Sequence, residues 1–201
     1  VERQNPTTLI EPILDPTKKA RSLRLRLLGP KAKPSIRDTE LLKRALQDAP
    51  EDLGLRQLQL HWLDQPQYRE VYPTEIADAA AKVINLLAEQ KLKPQDLKNV
   101  TAFTLYRQAR ALGYRQDSDV IENKPLTDEE LKVVQGQLAG VYQQLMDLVG
   151  PGHAEFVLLE IRMLRRDNWF GRALNLLEQH ATTIAPRWYL EKRWELLRDL
   201  G

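Results

Sequence analysis

The sequence contains no cysteine. That excludes disulfides, thiol catalysis, cysteine-based zinc sites and cysteine-ligated iron–sulfur clusters. A reducing cytoplasm and a disulfide-free periplasm both accommodate such a chain. No apolar run approaches the ~18 residues that a membrane span needs. No signal-peptide pattern is visible at Val1, which leaves a processed terminus and an excised domain both open. There is no glycine-rich phosphate loop and no His-Glu-x-x-His pair. The three histidines, His61, His153 and His180, lie far apart. His153-Ala154-Glu155 has the His-x-Glu spacing of zinc deaminases, but that chemistry takes further metal ligands downstream that this chain lacks. No cofactor and no metal is therefore expected.

What remains is an ordinary globular composition. Hydrophobic residues make up 42% of the 201 and charged residues 29%. A chain of this length buries roughly 70% of its unfolded surface without a staple. The net charge is only +2, yet it is unevenly spread. Residues 1–46 hold 11 Lys/Arg against 5 Asp/Glu, and residues 47–201 hold 19 against 23. A basic arm on a mildly acidic body is a layout common among interaction proteins.

Twelve prolines outline the organisation. A proline in a helix interior costs about 3 kcal/mol, whereas at the first helical position it costs little. The segments between prolines carry helical periodicity. Asp15-Pro16 and Gly29-Pro30 bracket a short helix, although Leu23, Leu25 and Leu27 alternating with Arg24 and Arg26 also fit a strand. Helices are then expected over about 38–48, 51–64, 75–91 and 95–112, with Thr74 capping the third and Gly113 stopping the fourth. Residues 114–126 read as a polar surface loop. Thr127 and Glu130 form a capping box, in which each side chain satisfies a free backbone N–H, and open a helix that runs to Gly150. Helices at about 153–166, 168–183 and 187–199 complete an all-α chain. The expected organisation is a basic arm over residues 1–37 with one short helix, then a helical repeat-like domain over 38–201.

LLKRALQDAP (41–50) and LEQHATTIAP (177–186) share Leu, three residues, Ala, three residues, Ala-Pro. Both pair a small residue with a helix stop, as stacked helical hairpins require. On these residues the chain resembles tetratricopeptide-repeat-like proteins, whose repeats place a small residue five positions before a closing proline, as Ala45 with Pro50 and Ala181 with Pro186 do. Phe156, Leu159, Phe170, Ala173 and Leu177 sit roughly where that family packs its two helices, but its first-helix glycine is missing, with Glu160 or Ile161 in its place. The echoes lie 136 residues apart, which equals four periods of about 34. The likeness is best over 153–198 and poor between residues 64 and 153. It implies stacked antiparallel hairpins in a right-handed superhelix of seven to nine helices, with a concave surface that grips a protein or peptide.

The carboxylate cluster Asp128-Glu129-Glu130 is explained by capping and the helix dipole. Gly136 and Gly140, spaced small-xxx-small, predict a close helix contact. Aromatics concentrate near the C-terminus. Trp169 and Trp194 are expected inside, whereas Trp188 and Tyr189, after a proline and beside Arg187, suit a binding patch equally well. The expected role is a non-catalytic protein–protein scaffold whose groove uses Arg162, Arg166, Trp188, Tyr189 and Arg193. The alternative is a nucleic-acid-binding protein contacting phosphates through Lys18, Lys19, Arg21, Arg24 and Arg26. An enzyme with an unrecognised site is the third reading.

Overall fold

The computed structural model describes residues 34, 36–65, 68–69, 71–90, 93–117 and 126–201. Among these the chain is all-helical, with eight helices and no strand. The short helix or strand expected at 16–28 and the basic arm lie outside the described residues. The chain divides into two compact units at Gln90–Lys91.

The first unit holds α1 (Ile36–Asp48), α2 (Leu53–Leu63) and α3 (Pro73–Ala88). α2 packs on both its neighbours. Leu42, Ala45 and Leu46 of α1 meet Leu55, Leu58 and Trp62 of α2 in one buried cluster. Asp52 caps α2 by accepting a hydrogen bond from the Leu55 N–H at 3.0 Å. Pro50 therefore does not start the helix: it lies in a turn, and Asp52 supplies the N-cap. α3 begins at Pro73 itself, so Thr74 lies inside the first turn and is not the expected cap. Pro73 fits because its missing N–H would have had no helical partner.

The second unit holds α4 (Pro94–Asp117), α5 (Asp128–Val149), α6 (Ala154–Arg166), α7 (Phe170–Gln179) and α8 (Pro186–Leu200). α4 packs on α5 and α6, α5 also touches α6, and α7 packs on both α6 and α8. Leu145, Phe156, Leu159, Ile161, Leu177 and Leu196 are fully buried in its interior. The Thr127–Glu130 capping box forms, with Glu130 N–H donating to Thr127 Oγ1 at 3.2 Å and Thr127 N–H donating to Glu130 Oε2 at 2.8 Å.

Three expectations fail here for identifiable reasons. α4 does not stop at Gly113 but continues to Asp117, so residues 114–117 are helix and not loop. Gly113 is buried beneath Arg162, and a Cβ there would meet Arg162 Nε at 3.2 Å. The glycine serves close approach rather than termination. At Gly136 and Gly140 a Cβ would meet nothing within 4 Å, so this small-xxx-small pair makes no close contact among the described residues. α7 ends at Gln179 rather than 183, and residues 180–183 form turns before Pro186 opens α8. Ala181 thus lies outside its helix while Ala45 lies within one, so the two Ala-Pro echoes adopt different local structures.

α6 and α7 form a hairpin joined by Asp167, Asn168 and Trp169. The Asn168 N–H donates to Arg165 O at 3.1 Å and the Trp169 N–H to Leu164 O at 2.8 Å. These are the paired bonds of a Schellman motif, with Asn168 at φ 62° as its left-handed residue.

Candidate functional site

Two surfaces stand out, one in each unit. In the first unit a cleft of about 710 Å³ is lined by Leu42, Leu46, Trp62, Tyr68 and Tyr72, with Lys43 and Arg56 beside them. Arg56 is fixed in place: its Nε donates to Pro50 O at 2.8 Å and its Nη1 to Gln59 Oε1 at 3.0 Å. An apolar lining with a few cationic and amide groups can bind, but it presents no acid–base pair. Among the described residues, no group of three or more His, Asp or Glu side chains gathers to hold a metal. His153 Nδ1 lies 2.7 Å from Glu155 Oε2, so the His-x-Glu pair closes on itself.

The second unit carries all five residues singled out as a groove, and it gives them different neighbours. Arg162 and Arg166, one turn apart on α6, converge on Asp117 at the end of α4, at 3.7 and 3.0 Å. Arg162 Cζ also lies 3.9 Å from the Tyr114 ring centroid, so cation–π attraction adds to the ion pair. Burial pushes the Asp117 carboxyl above its ordinary value; the two arginines pull the other way but do not win, and Asp167 adds to the rise. Trp188 packs against α4, with ring centroids 6.1 Å from Phe103 and 6.2 Å from Tyr106. Arg107 and Arg110 lie over those same two rings, at 5.5 and 5.3 Å. Tyr189 is half-buried. Arg193 Nε reaches Glu178 on α7 at 3.6 Å. The structure thus brings Arg162 and Arg166 together, while Trp188 and Arg193 engage other helices. Lys18, Lys19, Arg21, Arg24 and Arg26 lie outside the described residues.

α8 is clamped to α6 by charge. Arg165 donates through Nε to Asp199 and through Nη1 to Glu195 at 2.8 Å, and Lys192 donates to Glu195 at 2.9 Å. The hydrogen bond from Arg165 holds the Asp199 carboxyl below its ordinary value.

The opposite side of α8 is the feature that sequence reasoning missed. Leu190 is 64% exposed, Trp194 62%, Leu197 41% and Leu200 50%, whereas Leu196 is 1% exposed. Positions 190, 194 and 197 repeat at helical spacing, so they share one outward stripe. Trp169 at the start of α7 is also half exposed. Both tryptophans expected inside are therefore outside, with Arg172 4.2 Å from the Trp169 ring and Arg198 4.8 Å from the Trp194 ring. The signal was present in the sequence as an apolar stripe, Leu190, Trp194 and Leu197, opposite a mixed side that carries Trp188, Lys192 and Glu195.

No family model, no curated protein and no solved structure matches the chain.

Proposed function

We propose that this chain is a non-catalytic scaffold that binds another protein through the outward face of α8. The observation that carries the proposal is the stripe of Leu190, Trp194 and Leu197, all exposed on a helix whose other side is already packed. A buried helix face needs no second apolar stripe, and contiguous exposed apolar surface of this kind marks contact sites. Tryptophan and arginine are the residues that dominate interface hot spots, and the stripe holds Trp194 with Arg198 stacked on it.

The packing of α4 on α6, two helices on in the chain, supports a further step. Successive hairpins that stack bring the first helix of one against the first helix of the next. On this reading α4–α5 and α6–α7 are two hairpins of a tetratricopeptide-like stack, and α8 is the first helix of the next. An apolar outer face on such a helix calls for something to cover it, because the uncovered surface of a stack is otherwise polar.

The test is affinity capture from host lysate with wild type and with a Leu190→Glu/Trp194→Glu/Leu197→Glu variant. Circular dichroism first establishes that the helical content is the same. We expect a protein partner, a further copy of the chain included, to be captured by the wild type and lost with the variant. Recovery of the same set of proteins by both forms overturns the reading.

A further inference from the structure

We infer that the partner seated on α8 is a second copy of this chain, docked antiparallel across a two-fold axis near Trp194. The inference rests on the reading of α8 as an interface and adds the partner, the direction and the register.

The argument comes from the charges flanking the stripe. The outward face centres on Leu190, Trp194 and Leu197. On one flank stand Glu191 and Arg198, both more than half exposed at their side chains, at 51% and 56%. They are seven residues apart, which is two helical turns or about 10 Å. A two-fold axis perpendicular to α8 keeps each flank facing its own equivalent and reverses the helix direction. Placed between residues 194 and 195, such an axis sets Glu191 of one copy opposite Arg198 of the other, and the reverse. Both opposite-charge pairs form at once, as an isologous interface demands.

The apolar centre fits the same register. Trp194 meets Trp194 of the second copy at the axis, and Leu197 of one chain falls within about one turn of Leu190 of the other. Interdigitating side chains need that offset. On the far flank, the guanidinium of Arg193 already faces Glu178, 3.6 Å away, so the like charges that approach there are partly neutralised. On the first flank Glu191 reaches Lys192 only at 4.0 Å, while Arg198 lies over the Trp194 ring at 4.8 Å and 3.7 Å from Asp199, so a pair across the axis adds to contacts that Arg198 already makes.

Sedimentation velocity on the purified chain, from low to high micromolar concentration, tests the proposal. The wild type is expected to dimerise with rising concentration, and Trp194→Glu to remain a monomer. Glu191→Arg replaces both pairs by Arg–Arg contacts, and Arg198→Glu replaces both by Glu–Glu contacts. Each single variant is expected to dimerise roughly tenfold more weakly than wild type. Mixed together, the two variants recreate both opposite-charge pairs in a heterodimer, which is expected to associate about as tightly as wild type. All three substitutions lie on exposed side chains, so the fold is retained and checked by circular dichroism.

A wild type that stays monomeric throughout overturns the inference. So does a dimer indifferent to Trp194→Glu, since its interface then lies elsewhere. A dimer that Trp194→Glu abolishes but that mixing the charge variants does not restore overturns the antiparallel register. If the chain is monomeric while capture of a different protein still depends on Leu190, Trp194 and Leu197, self-pairing is wrong and the contact role of α8 stands.

Discussion

Arg162 on α6 sits over Tyr114 on α4, 3.9 Å from the ring centroid, and does so because Gly113 leaves the space beneath its guanidinium open. The same arginine reaches Asp117 one turn further along. A methyl group at position 113 would approach Arg162 Nε to 3.2 Å, which the flexible end of an arginine accommodates by moving a few tenths of an ångström. Alanine in a helix interior is also favoured over glycine by about 1 kcal/mol. Gly113→Ala is therefore expected to leave stability within about 1 kcal/mol of wild type. Gly113→Leu has no such escape and displaces the guanidinium from the ring, at a cost of ~2 kcal/mol. Urea unfolding of the three proteins checks the contrast, and equal midpoints for the leucine and alanine variants contradict it.

Asp117 and Asp199 both face arginines, and their carboxyls shift in opposite directions. The native Asp199 carboxyl is lowered, so it contributes stability that is present above its ordinary value and lost as the pH falls through the lowered one. Asp117 is raised, because burial outweighs Arg166 and Arg162. Its native form holds a proton more tightly than the unfolded form does, so stability declines as the pH rises from the ordinary carboxylate range through the raised value. At neutral pH, Asp199→Asn is expected to destabilise by up to ~1 kcal/mol. Asp117→Asn is expected to leave stability unchanged or slightly higher, although it removes the anion from two arginines. Urea midpoints at pH 7 and pH 4 check both: the deficit of Asp199→Asn shrinks at the lower pH, and so does any gain of Asp117→Asn.

Asn168 occupies the left-handed residue of the α6–α7 turn at φ 62°. Asparagine tolerates that region better than most side chains, and glycine tolerates it best. Asn168→Gly is expected to raise stability by up to ~1 kcal/mol, and Asn168→Val to lower it by ~1–2 kcal/mol. Thermal unfolding reads both. A valine variant as stable as wild type would mean that the turn relaxes out of the Schellman geometry.

The helices were legible in the sequence because their limits are local. Thr127 and Glu130 satisfy two backbone groups within a single turn, and Pro94 and Pro186 fit helix starts whatever surrounds them. Gly113 was misread because a helix-stopping glycine and a close-approach glycine are the same letter. Only the position of Arg162, 49 residues along the chain, separates them. Phe103 is apolar and lies within α4, yet it is 38% exposed and shares a stack with Trp188. Periodicity marks an apolar face but not what lies against it. Trp194 failed for the converse reason: α8 turns its charge-bearing side inward, so its apolar stripe is the face left outside. Arg165, Glu195 and Asp199 bond that side to α6, and no single-helix pattern announces an interface made of ion pairs.

Trp188 is the residue whose two sequence readings, packing and binding, the structure allows to be separated. Its ring lies 6.1 Å from Phe103 and 6.2 Å from Tyr106, so it joins α8 to α4 within the second unit. Removing it exposes Tyr106, which is now only 6% exposed. Trp188→Ala is expected to cost ~3 kcal/mol, the range for a large aromatic truncation. Phe103→Ala is expected to cost less, because Phe103 is already 38% exposed. The double variant should lose less than the two single losses added together, by about 0.5–1.5 kcal/mol, which is the coupling of one aromatic pair. Strict additivity would show that the two rings are neighbours without being energetic partners. Trp188→Phe keeps an aromatic surface against Tyr106 and is expected to recover most of the stability. If that variant folds as wild type does and still loses a captured protein, Trp188 touches the partner as well as α4.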